Sequence, residues 1–279
     1  MSEAGLRADL AAFAGKSPEA SFLDAALLIA RTLDPDIDTG AVDAELEGLA
    51  VGAMSAVSAA APLSERVAAL CAFLAGACGF GGDPERYYEI DNSRIDKVLK
   101  THRGLPITLA VIYVEVGRRF GLNVAGINFP GHFLVRFADD SGTVLVDPFA
   151  GKCLDAHGCL RLLKATQGAH AELEDAHFAP ASAQSVLVRM LNNLKQLALG
   201  ESRHADALRF SEFILLAAPE LVFEHGDRAA LYERLGQPEL ALLELTALRP
   251  HLSDVRAQTR LEEEVRRLTA LAGESRIVH

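Results

Sequence analysis

Residues 104–121 read GLPITLAVIYVEVGRRFG, and this stretch decides the fold. Over residues 107–116 nearly every side chain is apolar, whichever helical face it falls on. The segment therefore predicts a helix buried all round, not one lying on a surface. Pro106 stands where a first-turn proline fits, because the N–H it lacks would have no intrahelical partner and its φ is already helical. Arg118, Arg119 and Gly121 close the element, as basic last-turn residues followed by glycine do. Such a helix needs packing layers on every side, and the flanking sequence supplies them.

Downstream lie three β-prone runs, residues 123–128, 132–137 and 143–146, separated by Pro130-Gly131 and by Asp139-Asp140-Ser141-Gly142. Short strands with turn residues between them predict an antiparallel meander packed on the buried helix. If the second turn closes a hairpin, His132 at the start of one strand lies near Asp147 at the end of the next. Arg136 alternates onto the strand face of His132, where it would make an anion contact or a surface salt bridge. Upstream, residues 1 to about 80 are rich in Ala and Leu: a helix over residues 22–32 broken at 34–38, a second helix, and a run from Leu63-Ser64 ending by Gly79, Gly81 and Gly82. Ser64 is the expected N-cap of that run. Cys71 and Cys78, two helical turns apart, read as small buried hydrophobes without chemistry.

From about residue 184 the chain returns to helices with a repeated feature. Ala207-Leu208-Arg209-Phe210 and Ala241-Leu242-Leu243-Glu244 are offset by 34 residues, the tetratricopeptide period. Gly200 and Gly236 end the preceding helices, Pro219 and Pro250 follow the later ones, and a last amphipathic helix carries Leu261, Val265, Leu268 and Ala272. The glycine-to-alanine spacing is seven in one copy and five in the other, so a plain helical-hairpin bundle is the alternative. The expected organisation is residues 1–82 as the N-terminal helical part of the core, 83–180 as its α+β part, and 181–279 as the repeats.

Half of the 279 residues are hydrophobic, enough for a substantial core, and four cysteines are too few for a disulfide framework. A net charge of −11 repels nucleic-acid phosphates, so no nucleic acid is expected as a partner. The longest apolar runs fall short of the roughly 20 residues a spanning helix needs, so no membrane is expected either. MSEAGLRADL has no basic segment followed by an apolar run, and the expected setting is cytoplasmic.

Three blocks, NSRIDKVLKTHRGLPITLA at 92–110, PGHFLVRF at 130–137 and VLVDPF at 144–149, in that order resemble the bacterial invasion-regulator (SirB) family of transglutaminase-like proteins. The resemblance implies an α+β, predominantly helical fold: a degenerate papain/transglutaminase-like core followed by an all-α tetratricopeptide-like region. Such cores place a nucleophilic cysteine at the start of a buried helix, a histidine on one strand and an aspartate on the next. The helix N-terminus stabilises a thiolate, and the carboxylate fixes the tautomer of the proton-shuttling imidazole. Aligned on Gly104 and Ala110, the cysteine position is Pro106; the histidine and aspartate positions fall on His132 and Asp147.

Proline has no heteroatom to attack a carbonyl and no N–H to help hold an oxyanion. Thr108 carries a hydroxyl but is turned about 200° away around the helix. Cys153, His157 and Cys159 lack paired metal-site spacing, and neither metal nor cofactor is expected. His132 and Asp147 are left as a remnant dyad, structural or ligand-binding. The leading expectation is a non-catalytic regulator or adaptor that binds a protein or peptide partner through the C-terminal repeats. The alternatives are a hydrolase of altered chemistry, cutting amide or ester bonds through His132 and Asp147 beside a deep cleft at Pro106, and a small-molecule or peptide sensor.

Overall fold

The computed structural model describes residues 2–15 and 20–277. In chain order the helices before the sheet are α1 (Glu3–Gly15), α2 (Phe22–Leu33), α3 (Thr39–Met54), α4 (Leu63–Cys71), α5 (Ile95–Thr101) and α6 (Pro106–Arg119). Local chemistry sets their ends. Ser21 and Asp24 form a reciprocal capping box at α2, and Asp38 caps α3 by accepting from the Ala41 N–H. At α4 the capping residue is Pro62, not Ser64. The carbonyl of Pro62 already accepts from the N–H groups of Glu65 and Arg66, so Ser64 lies inside the first turn. Beyond Cys71 the helix widens into a π turn, Ala72–Ala77, which takes Cys71 and Cys78 off a common α-helical face.

Helix α6 is buried from Pro106 to Gly117 without interruption, as its composition requires. It packs against α2, α3 and α5 on its helical sides and against strands β1 (Asn123–Ile127) and β2 (Leu134–Asp139). Each fully buried Val, Leu or Ile contributes roughly 1.5–3 kcal/mol, so this helix is the main apolar anchor of its unit. Strands β3 (Gly142–Asp147) and β4 (Lys152–Leu154) complete an antiparallel sheet in the order β1-β2-β3-β4. Asp139 pairs with Gly142, so Asp140 and Ser141 form the expected tight turn. Strand β4 was not anticipated, because three residues give no readable alternation.

His132 precedes β2 instead of beginning it. The N–H of His132 donates to the carbonyl of Phe129, and Gly131 has φ 67°, a turn that holds residues 131–133 out of the ladder. A Cβ at Gly131 would also come 2.3 Å from Cγ2 of Thr166. After β4, Asp155 caps α7 (Ala156–Gln167), which buries Cys159 and Leu163 with Ile127, Phe129 and Leu134.

The remaining helices are α8 (Ala183–Gly200), α9 (His204–Ala217), α10 (Glu224–Arg234), α11 (Pro238–Leu248) and α12 (Val255–Ile277). The chain divides into two compact units. One takes residues 2–6 and 20–190; the other takes Arg7–Gly15 and residues 191–277. Most of α1 thus belongs with the C-terminal helices, whereas the sequence grouped it with the core. In the second unit α9, α10, α11 and α12 each pack on the next. Helices α9 and α11 start 34 residues apart, and Ala207 and Ala241 are both fully buried. Ahead of them the left-handed turn residues are Ser202 (φ 58°) and Gly236 (φ 71°), also 34 apart. Gly200 was therefore the wrong reference, and the spacing mismatch disappears once Ser202 takes its place.

Candidate functional site

The site grows from the two ends of the β2–β3 hairpin. Asp147 closes β3, and its Oδ1 accepts from the N–H groups of Phe149 (2.9 Å) and Ala150 (3.1 Å), a turn in which the main chain itself orients the carboxylate. The same oxygen meets His132 Nε2 at 2.8 Å. Both side chains are largely withdrawn from solvent, at 13% exposure for His132 and 5% for Asp147. In the neutral imidazole this contact selects the Nε2–H tautomer and leaves Nδ1 as the acceptor. The ring of Phe149 stands edge-on to His132 at 6.1 Å between centroids and contacts Tyr87 in turn.

Pro106 is the first residue of α6 and is buried, preceded by Leu105, which has no side-chain cap to offer. Thr108 is fully buried, and its hydroxyl has no hydrogen-bond partner among the described residues. Among the described residues His132 hydrogen-bonds to Asp147, and neither Thr108, Cys153 nor Cys159 bonds to its ring. Cys159 sits in the core, and burial raises its thiol pKa. No group of three His, Cys, Asp or Glu side chains among the described residues is placed to hold a metal ion. Arg136 donates to the carbonyl of Phe178, and among the described residues it forms no salt bridge.

Two residues near the dyad escaped the sequence reading. Tyr113 on α6 is fully buried, its hydroxyl has no hydrogen-bond partner among the described residues, and burial followed by the nearby Cys71, Asp147 and Cys153 pushes its pKa well up. Arg189 on α8 lies over the ring of Phe133 and donates to Asn128 Oδ1 and the Phe129 carbonyl. Burial lowers its pKa, while the Tyr87 hydroxyl works against that shift. In the sequence both looked like ordinary helical positions, and no spacing rule links residue 189 to residue 133. An open cavity of about 540 Å³ lies elsewhere in this unit, lined by Asp34, Asp36, Asp38, Glu45, Lys97 and His102 among others.

A helix buried all round, an antiparallel hairpin and a histidine–aspartate pair joined across it are the arrangement that the resemblance to transglutaminase-like proteins implies. The family model described as the transglutaminase-like superfamily matches residues 40–192. The chain is 34% identical over 228 residues to a UPF0162 protein of Xylella fastidiosa, covering 80% of this chain and 81% of that one. It is 30% identical to protein SirB1 of Salmonella typhimurium (81% and 85%) and 29% identical to UPF0162 protein YchA of Escherichia coli (82% and 85%). The chain belongs to the SirB family of transglutaminase-like proteins. No solved structure matches it. No helix among the described residues is long and apolar enough to cross a membrane.

Proposed function

We propose that this protein is a non-catalytic member of its superfamily, a regulator or adaptor whose C-terminal helices bind a protein partner. The observation that carries the reading is Pro106 at the first position of α6, where the alignment of the family's motif puts the nucleophile. A pyrrolidine ring supplies neither sulfur nor oxygen, and among the described residues no thiol or hydroxyl bonds to His132 in its place. The second unit supports the adaptor role. Leu240 and Leu243 are both exposed on α11, three residues apart and so on one face, with Phe223 exposed just before α10.

The test is a panel of amide and ester substrates on the full chain, with His132→Ala as the control. Turnover abolished by that substitution overturns the reading; no turnover, with a specific partner captured by the full chain and lost from Leu240→Asp/Leu243→Asp, supports it. One geometric fact favours a hydrolase as the second reading. Asp147 is held by two main-chain N–H groups and fixes one nitrogen of His132, the arrangement a general base requires.

A further inference from the structure

We propose that Cys71 and Cys153 form a peroxide-reactive dithiol, in which exposed Cys153 is oxidised first and buried Cys71 closes an intramolecular disulfide. The pair is made by the fold, since 82 residues separate the two in the chain. Helix α4, which ends at Cys71, packs on β2, β3 and β4, and Cys153 is the middle residue of β4, paired with Val146. The turn before β4 is pressed onto the π turn that follows Cys71: a Cβ at Gly151 would lie 2.3 Å from Cβ of Ala75. That packing sets the two thiols side by side, close enough for each to shift the other's titration. Cys71 is buried and Cys153 exposed, and both are free thiols.

That asymmetry assigns the roles. The Cys71 S–H donates to Cys153 and stabilises its thiolate, bringing the Cys153 pKa down to about 7 although partial burial works the other way. The same contact, then burial, pushes the Cys71 thiol far up, so it keeps its proton. A low-pKa, solvent-facing thiol beside a second cysteine is the arrangement that hydroperoxides oxidise selectively.

In the first step the Cys153 thiolate attacks one oxygen of the hydroperoxide. The S–O bond forms, the O–O bond breaks, and the departing alkoxide or hydroxide takes a proton, leaving a sulfenic acid. In the second step the Cys71 sulfur attacks the Cys153 sulfur. The S–S bond forms, the S–O bond breaks, and hydroxide leaves with the Cys71 proton as water. Two thiols and one hydroperoxide thus give one disulfide, one water and one alcohol, or a second water from hydrogen peroxide. The Tyr113 hydroxyl lies within the field of Cys71, Cys153 and Asp147, so oxidation alters the charge beside the dyad, whatever the dyad does.

The full-length protein would be treated with hydrogen peroxide near pH 7, then its thiols counted and its non-reducing digest mapped by mass spectrometry. The expected result is loss of two of the four thiols, a peptide joining Cys71 to Cys153, and a raised Tm from closing the loop. Cys71→Ala should stop at a sulfenic acid on Cys153, trapped by a dimedone probe; Cys153→Ser should abolish the disulfide; Cys78→Ser should change nothing. The alkylation rate of Cys153 should reach half its plateau near pH 7. The proposal is overturned if the wild-type digest shows another pairing, if the disulfide joins two chains, or if Cys153 reacts no faster than a thiol of the urea-unfolded protein. The wild-type map decides the matter even where a variant fails to fold.

Discussion

Both compact units hold a histidine bonded to a carboxylate, and the two pairs differ in what surrounds them. In the C-terminal unit His225 Nδ1 meets Glu244 at 2.6 Å, and the other oxygen of Glu244 takes Arg228 at 3.1 Å. This cluster joins α10 to α11, its cation answers the carboxylate, and it reads as a cross-link between packed helices. In the first unit Asp147 has no Arg or Lys in an ion pair among the described residues, only two main-chain N–H groups and the imidazole. A histidine–carboxylate pair is therefore not by itself the mark of a site. What distinguishes His132 is a carboxylate oriented by the backbone, with the imidazole as its side-chain partner.

The contrast between a unit cross-linked by charge and a unit built on an apolar helix is tested most severely at Lys195. Its side chain is 2% exposed, and its ammonium bonds Glu224 (2.6 Å) and Asp227 (2.7 Å), with Ser211 donating to the same Glu224. Lys195→Met strands Glu224 without its cation and should cost about 3–5 kcal/mol in urea unfolding. A loss near zero would mean the network is dispensable and the contrast false.

Next comes a matched pair of substitutions. Glu244→Gln deprives Arg228 of its counter-charge and His225 of a carboxylate partner, and should cost about 2–3 kcal/mol. Asp147→Asn keeps an oxygen to accept from Phe149 and Ala150 and should cost only about 1 kcal/mol. The reverse order in chemical denaturation would make the dyad the structural keystone.

Glu115 sharpens the comparison through pH. It is buried on α6, and desolvation raises its pKa above the carboxylate value despite Arg118. The folded protein thus holds that proton to higher pH than the unfolded chain does. The group's contribution is fully present below the unfolded pKa and is lost as pH rises through the folded one. Stability should fall over that interval, and Glu115→Gln should flatten the decline in a pH series of melting curves.

The smallest effect on stability is expected from Pro106→Cys, whose readout is chemical. If the start of α6 faces the dyad, the new thiol should titrate below the ordinary value of about 8.5 in an alkylation-rate profile. An ordinary thiol there would separate Pro106 from His132 and remove the basis for aligning it with a nucleophile.

Much of the first unit was legible because its signals are short in range. Apolar residues on every face, a proline at the first helical position and a four-residue turn act over a few residues, and α6 and the β2–β3 hairpin came out nearly as expected. The approach of His132 to Asp147 was anticipated from the hairpin, although the turn at Gly131, outside the ladder, is what holds the histidine there. Strand β4 was missed because three residues carry no period. Arg189 over Phe133 was missed because nothing local distinguishes it from a solvated arginine.

By itself the chain of residues determined that position 106 carries no nucleophile, since no folding can add an atom to proline, and that a helix shielded on all sides must lie at the centre of its unit. Tertiary structure alone decided that Cys71 meets Cys153, that most of α1 belongs with the C-terminal helices, and that a second histidine pairs with Glu244. Turn stereochemistry and helical period speak only to near neighbours. Contacts across tens of residues arise when whole faces are matched in packing, and a face exists only after the elements have formed.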